Sequence, residues 1–392
     1  MFSRKQIQIY HKNLVVYPVI RYFVVYISHE TYLITMKYLR FFPLFLLLTV
    51  CAASAKVPVG DSVIKAFCVD FNWSGRGYAG LALPEDYASA KPSDHIKWYK
   101  EHNVNTIQSF CVSHNGYAWY DSKIAPKVPG LESDFLTEMV DLGHKEGMLV
   151  MGYFSPACNV YWLENHPNEV YDNGTMFHMV YTKKYLEYLG DVIYEAVIHT
   201  GIDGFMIDAI FSAPMQEMAP VAWLDCEREM YEELFGTEFP GTCNVTPQMA
   251  EDFKRRATLR CWDTIVSAAK RANPECIVWL TCHELDHPQI RDNRIFQEVD
   301  WLQNESSDPV FLKTVRSKVG PAVKLIQCVV GWESHDASKL FDDSDPNTGF
   351  YGFAWPLLET TLPPTVEQAE DNVRFKNNAR NIETMSEFYK NH

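Results

Sequence analysis

Short apolar runs alternate along the chain with longer segments whose apolar residues recur at helical spacing. The runs are short and rich in β-branched and aromatic residues, which favours buried parallel strands over helices. We predict eight strands, at residues 65–73, 105–114, 148–156, 203–211, 276–284, 299–305, 323–333 and 349–356.

The segments between these runs have the spacing of amphipathic helices. Ser93 or Asp94 is the expected N-cap of the first helix, and glycines 147 and 201 are expected to end the second and third. Helices are predicted at residues 92–103, 132–147, 181–201, 247–274, 308–320 and 365–391. The alternation of strands and helices, without an internal repeat or a linker, predicts an α/β protein: a (β/α)8 TIM barrel in a single catalytic domain. Residues 212–246 are predicted to form an insertion after the fourth strand, which could roof the cleft.

The N-terminal region is predicted to lie outside this domain. Residues 36–55, "MKYLRFFPLFLLLTVCAASA", have a basic start, an apolar stretch and a small-x-small end, as in a secretory signal peptide cleaved before Lys56. The stretch is short for a membrane span, and none is expected in the mature chain. Residues 1–35 are interpreted as a mis-assigned upstream extension, which leaves residues 56–392 for the barrel. We therefore expect a secreted or periplasmic protein. Lipoprotein attachment at Cys51 is an alternative that Val50, where a small residue is usual, disfavours.

Composition and charge narrow the possible partners. A formal net charge of −15 argues against nucleic acid or an anionic membrane as a partner, and it favours a neutral or cationic small substrate. The chain has no Cys-x-x-Cys or His-Glu-x-x-His spacing, so no metal and no cofactor is expected. The sequence does not indicate an oligomeric state.

Polar residues follow the predicted strands, where the active sites of (β/α)8 barrels lie. Asp208 is the most informative, because it ends an otherwise apolar strand, and burying a charge is costly unless the charge is paired or hydrogen-bonded. Asp70, by contrast, is interpreted as a structural partner inside the barrel. The candidate catalytic residues are Asp208, Glu305 and Glu333, and the candidate substrate-binding residues are Asn72, Trp73, His114, Tyr153, His283, Glu284, Trp332 and Trp355.

Carboxylates at the ends of strands four, six and seven suit glycoside cleavage. One carboxylate would attack or stabilise an oxocarbenium-like carbon, and a protonated carboxyl would supply a proton to the leaving oxygen. Asp208 is predicted to take the first role. An inverting mechanism stays open, because the separation of the two carboxyls decides between retention and inversion.

Several stretches resemble glycoside hydrolase family 29, the α-L-fucosidases. They are "AFCVDFNWSG", "NVNTIQSFCVSHNGYAWYDSKIAP", "DFLTEMVDLGHKEGMLVMGYFSP" and "YLEYLGDVIYEAVIHTGIDGFMIDAIF". The resemblance covers residues 65–211 and implies that Asp208 is the nucleophile of a retaining mechanism. The chain departs from the family at Asn72 and Ser113, where the family has histidines, and at Asn115, where it has aspartate. Among possible acid/base residues Glu305 is preferred, followed by Glu333 and Glu284.

Two other functions compete with a secreted glycosidase. The first is a non-catalytic barrel that binds carbohydrate. The second is another hydrolase on the same fold, with metal-assisted hydrolysis as one form of it, that uses His114, Asp208, His283 and Glu305. In the preferred hypothesis the partner is a carbohydrate, either an oligosaccharide or a glycoconjugate.

Overall fold

A closed barrel of eight parallel strands forms the centre of the protein, as the sequence predicts. The structure, a computed structural model, describes residues 63–208, 210–213, 223–282, 285–304, 309–331, 347–369 and 372–392. The strands follow the order β1-β10-β9-β8-β7-β6-β3-β2 around the barrel. Their bounds are β1 Ile64–Val69, β2 Thr106–Gln108, β3 Leu149–Phe154, β6 Gly204–Ile207, β7 Ile277–Cys282, β8 Trp301–Asn304, β9 Lys324–Val330 and β10 Thr348–Ala354. The (β/α)8 fold class is therefore confirmed, and β6 ends at Ile207, directly before Asp208.

Helices connect these strands, and all six predicted helices are present. No helix in the described part of the chain is both long and apolar enough to cross a membrane. The helices are α1 Pro92–Glu101, α2 Phe135–Lys145, α3 Val160–Asn165, α4 Lys183–Thr200, α5 Asp225–Phe235, α6 Pro247–Ala272, α7 Ile295–Glu298, α8 Pro309–Lys318 and α9 Val373–Asn391.

The predicted N-cap of α1, Ser93 or Asp94, is wrong, whereas the predicted end of α4 at Gly201 is confirmed. Helix α1 begins at Pro92 with Lys91 as its N-cap, and no side chain caps it. Proline suits the first helical position because its φ angle is already helical, so the helix starts before Ser93. Gly201 ends α4 in the left-handed region, with φ of 72°.

Two features after the third and fourth barrel strands were not predicted. A small antiparallel hairpin, β4 (Val170–Asp172) and β5 (Phe177–Met179), lies between β3 and β6. Within the insertion at 212–246, α5 packs through Met230 and Tyr231 against Phe253 and Ala257 of α6, in a cluster separate from the main core. Residues 214–222 of the insertion lie outside the described residues.

Candidate active site

Asp208 lies directly after β6, at the carboxyl ends of the barrel strands. Its backbone N–H donates to the carbonyl oxygen of Phe154 at 3.1 Å, so the β3–β6 pairing continues through this residue. The Asp208 side chain is 26% exposed and lines a cavity of about 360 Å³. Cavities of several hundred Å³ hold small ligands, and this end of a (β/α)8 barrel is where active sites are found.

A hydrogen-bond chain holds the Asp208 carboxylate in place. The Tyr153 hydroxyl donates to Asp208 Oδ2 at 2.7 Å, and it lies 2.7 Å from His114 Nε2. Because the single hydroxyl proton of Tyr153 points to Asp208, His114 must donate from Nε2. Nδ1 then carries no proton, and it is buried without a hydrogen-bond partner among the described residues. The arrangement occupies Oδ2 of Asp208 and leaves Oδ1 without a protein hydrogen bond in the described chain.

His114 is positioned by the end of the first barrel strand. Its backbone N–H donates to Asn72 Oδ1 at 2.9 Å, and the Trp73 ring contacts the imidazole edge-to-face at a centroid distance of 5.9 Å. The Asn72 backbone N–H in turn donates to Asp70 Oδ1 at 2.9 Å. A continuous path of hydrogen bonds thus runs from Asp70 through Asn72, His114 and Tyr153 to Asp208.

Burial shifts the pKa values of these groups. Burial lowers the pKa of His114 to about 4, although the nearby Asp208 carboxylate opposes this, so the imidazole is neutral near pH 7. Burial, and then the negative charges of Asp208 and Asp70, raise the pKa of the Tyr153 hydroxyl well above its usual range. The Tyr153 hydroxyl therefore keeps its proton and remains a donor to Asp208.

Asp70 is a second carboxyl group in the same cavity. Burial raises its pKa to about 7, the Asn72 N–H opposes this rise, and the charge of Asp208 adds to it. Asp70 lines the cavity and also holds the Asn72 backbone, and its interpretation as a structural partner stays a prediction. The sequence could have indicated that Asp70 faces the cavity, because side chains alternate between the two faces of a strand. Cys68 and Asp70 are two residues apart in the first predicted strand, and both line the cavity.

The hairpin β4–β5 and strand β10 complete the wall of the cavity. Thr175, Met176 and Phe177 line it from the hairpin, and the Tyr78 ring from the loop after β1 packs edge-on against Phe177. Tyr351 of β10 also lines the cavity, and its hydroxyl donates a 2.6 Å hydrogen bond to Gln108 Oε1. The cavity wall is thus largely aromatic and apolar around a few polar groups.

The described sequence-predicted residues divide between two cavities. Asn72, Trp73, His114, Tyr153 and Asp208 line the same cavity. Trp355 does not line it; it lies 7% exposed in a neighbouring cavity of about 640 Å³ that shares Trp73. The guanidinium of Arg374 stacks 3.4 Å from the Trp355 ring centre. Glu305, Glu333, His283, Glu284 and Trp332 lie outside the described residues.

The described residues contain no group of three or more His, Cys, Asp or Glu side chains placed to hold a metal ion. Of the four residues considered for metal-assisted hydrolysis, only His114 and Asp208 are described. His114 directs its Nε2 to the Tyr153 hydroxyl, and this nitrogen is 3.9 Å from Asp208 Oδ2.

Part of the chain matches a family model described as hypothetical glycosyl hydrolase 6. The match covers residues 92–209, from the start of α1 to just beyond Asp208, and includes His114 and Tyr153. No curated protein sequence matches the chain.

Three solved structures are similar to this protein at low sequence identity. An α-L-fucosidase, isoenzyme 2 from Paenibacillus thiaminolyticus, has a TM-score of 0.59 and 13% identity, over 84% of this chain and 49% of the fucosidase chain. The present chain thus spans about half the length of that fucosidase. A GH29 α-L-fucosidase from Bacteroides thetaiotaomicron has a TM-score of 0.45 and 12% identity, over 78% of this chain and 61% of that one. A maltogenic α-amylase from Thermotoga neapolitana has a TM-score of 0.43 and 11% identity, over 84% and 77% of the two chains. The family match, together with the barrel fold, supports a distant relationship to glycoside hydrolases.

Proposed function

We propose that this protein is a retaining glycoside hydrolase in which Asp208 is the nucleophile. One observation carries the proposal: Asp208 follows a barrel strand in a sugar-sized cavity, with Oδ2 held by Tyr153 and Oδ1 without a hydrogen bond from any described residue. A carboxylate that is fixed through one oxygen can present the other to an anomeric carbon. Retaining glycosidases need such a nucleophile together with a second carboxyl group as acid/base.

The proposed reaction proceeds in two steps. Asp208 Oδ1 forms a bond to the anomeric carbon while the bond to the leaving oxygen breaks, and the acid/base carboxyl gives its proton to that oxygen. Water then attacks the anomeric carbon, gives a proton to the same carboxylate, and releases Asp208. We assign the acid/base role to Glu305, with Glu333 and Glu284 as alternatives. The neutral Tyr153–His114 pair keeps Asp208 oriented in both steps.

An α-L-fucoside is the first substrate to test. The resemblance of residues 65–211 to family 29 favours it, and so does the shared fold of the Paenibacillus fucosidase. Asn72 and Ser113 replace two histidines of the family, so a different sugar is the alternative outcome. We therefore propose that aryl α- and β-glycosides of L-fucose, D-galactose, D-glucose and D-mannose be assayed together.

Asp208→Asn tests the nucleophile. It should lower kcat by a factor of about 10³ or more, because the covalent intermediate can no longer form. Asp203→Asn is the matched control, since Asp203 lies at the other end of the same strand, where its Oδ2 accepts hydrogen bonds from Val150 N at 2.8 Å and His144 Nε2 at 2.9 Å. The control should lose stability and keep its kcat. If Asp208→Asn turns over substrate as fast as wild type does, the proposal is refuted. Proton NMR of the anomeric configuration of the first product tests retention.

We also propose that the protein is exported, on the basis of the pattern in residues 36–55. N-terminal sequencing of the protein recovered from the medium or periplasm should begin at Lys56. Recovery of the uncleaved chain from the cytoplasm would contradict export.

A further inference from the structure

The carboxyl group of Asp70 is buried in the cavity, and one of its oxygens accepts no hydrogen bond from the described residues. Asp70 is 7% exposed, and its Oδ1 accepts the hydrogen bond from the Asn72 N–H. Within the described chain, no other residue donates a hydrogen bond to its side chain or forms an ion pair with it. Oδ2 is therefore available to a ligand in the cavity that Asp70 lines together with Asp208.

The surroundings of Asp70 offer no compensating charge. Among the described residues that line the cavity there is no lysine or arginine, and the other acid, Asp208, repels the ionised form of Asp70. Burial keeps His114 neutral at neutral pH. A buried polar group without a partner is costly, and such groups in clefts are frequently functional.

We propose that Asp70 is a substrate-binding residue whose Oδ2 accepts a hydrogen bond from a hydroxyl group of a neutral sugar bound beside Asp208. The sugar hydroxyl would supply a donor that none of the described residues provides to Oδ2. The inference rests on the carbohydrate ligand of the proposed function, but not on turnover. It also gives Asn72 a role: its N–H fixes Asp70, and its Oδ1 fixes the backbone of His114.

The same arrangement discriminates by charge. A sugar that carries a carboxylate or a sulfate would bring a third negative group next to Asp70 and Asp208, with no cationic side chain among the described lining residues. The cavity therefore takes neutral sugars in preference to uronic acids or sulfated sugars. Discrimination of this kind comes from the repulsive element as much as from the attractive one.

Isothermal titration calorimetry with free monosaccharides tests the proposal without requiring turnover. The ligands are L-fucose, D-galactose, D-glucose and D-mannose, with D-glucuronate as the anionic comparison. Wild type should bind at least one neutral sugar, and glucuronate about tenfold more weakly or worse. Asp70→Asn should weaken binding of the neutral sugar about fivefold or more, because hydrogen bonds to a charged acceptor are roughly twice as strong as neutral ones.

Glu227→Gln is the matched control. Burial raises the pKa of Glu227 to about 7, as for Asp70, but Glu227 accepts hydrogen bonds from Tyr171 and from Leu224 N. It lies on α5 and does not line the cavity. This variant should bind the sugar as wild type does. A loss of affinity common to both variants would show that Asp70 acts only through the fold.

The pH dependence of binding gives a second readout. The other titratable groups around Asp70 are Tyr87, Tyr153, Cys68, His114 and Asp208. Burial raises the pKa values of Tyr87, Tyr153 and Cys68, and it lowers the pKa of His114 to about 4. If the sugar hydroxyl binds ionised Asp70, wild-type affinity rises about tenfold from pH 6 to pH 8, and binding at pH 7 releases protons. This dependence should vanish in Asp70→Asn and persist in Glu227→Gln.

The outcomes separate this inference from the proposed function. If no neutral monosaccharide binds, or if Asp70→Asn leaves both the affinity and its pH dependence unchanged, the role of Asp70 is wrong, whatever Asp208→Asn does to turnover. If wild type binds sugar through Asp70 but cleaves no glycoside, the binding role stands and the glycosidase proposal fails. If Asp70→Asn does not fold, proton release by wild type on sugar binding at pH 7 is the test of the role of Asp70. Release of protons supports it, and no release contradicts it.

Discussion

The Tyr153 hydroxyl donates a 2.7 Å hydrogen bond to Oδ2 of Asp208, and through this bond β3 orients the carboxylate that follows β6. Register makes the contact possible, because β3 and β6 are neighbours and Tyr153 pairs with Met206, two residues before Asp208. The buried hydroxyl stays protonated and neutral. It thus fixes the direction of the carboxylate without adding a charge.

Removing this hydroxyl should lower the rate far more than the stability. Tyr153→Phe keeps the ring but removes a hydrogen bond to a charged group, worth about 1.5–3 kcal/mol, so kcat should fall about 10- to 100-fold. Steady-state assays with the aryl glycoside that wild type hydrolyses give kcat, and thermal unfolding gives Tm. Tyr185→Phe is the control, because the equally buried Tyr185 donates at 2.8 Å to Pro156 O, outside the cavity. Equal losses of kcat in both variants would contradict an orienting role for Tyr153.

Asp70→Asn should stabilise the fold at high pH. The folded-state pKa of Asp70 is raised from 3.8 to about 7, so wild type loses stability from this group as the pH rises from about 4 to about 7. The asparagine of the variant does not ionise, so the variant does not lose stability in this way as the pH rises. It should be more stable than wild type at pH 8, by up to a few kcal/mol at about 1.4 kcal/mol per pKa unit, and the difference should shrink toward pH 4. Urea unfolding at pH 4.5 and pH 8 measures the difference in stability between the variant and wild type. If the variant is less stable than wild type at both pH values, Asp70 is a structural partner.

For His114→Gln, the stability of wild type relative to the variant should change with pH in the opposite direction. The folded-state pKa of His114 is lowered from 6.5 to about 4, so the stability it contributes is complete above pH 6.5 and is lost as the pH falls toward 4. The stability of wild type relative to the variant should fall by up to about 3 kcal/mol from pH 7 to pH 4, again at about 1.4 kcal/mol per pKa unit.

His144 is the comparison for this prediction. Its hydrogen bond to Asp203 raises its pKa, so the advantage of wild type over His144→Gln should be full below pH 6.5 and decline as the pH rises through the raised pKa. The same urea titrations measure both variants. Parallel slopes for His114→Gln and His144→Gln would contradict the burial of a neutral His114.

Gly204→Ala should disturb the strand that carries Asp208. A Cβ atom at Gly204 would lie 2.3 Å from Ile277 O and 2.6 Å from Met151 Cε. The backbone of β7 cannot move without breaking the barrel ladder, so we expect a loss of about 1–3 kcal/mol in the free energy of unfolding. Gly320→Ala is the control, because the nearest atoms there are 3.6 Å away. Urea unfolding that ranks the two variants equally would contradict this close packing.

The sequence alone predicted the eight barrel strands and placed Asp208, His114 and Tyr153 at one end of them. This succeeded because a strand buried on both faces needs a continuous apolar run, and a polar residue that ends such a run stands out. The hairpin β4–β5 was missed because its strands have three residues each, although the Asn173–Gly174 pair between them is a typical turn signal. The place of Asp70 in the cavity was not predicted, because a single acid within an apolar strand has the same local pattern whether it pairs internally or faces a cavity.

Local residue pattern thus determined the alternation of strands and helices and the carboxylate that ends the fourth barrel strand. Only the tertiary structure decided which side chains share a cavity: it placed Asp70 beside Asp208 and put Trp355 in a neighbouring cavity. The physical reason is that strand formation depends on the polarity of residues close in the chain. Contacts across the barrel mouth depend instead on how far each strand extends and how it is registered against its neighbours, and no local pattern encodes these.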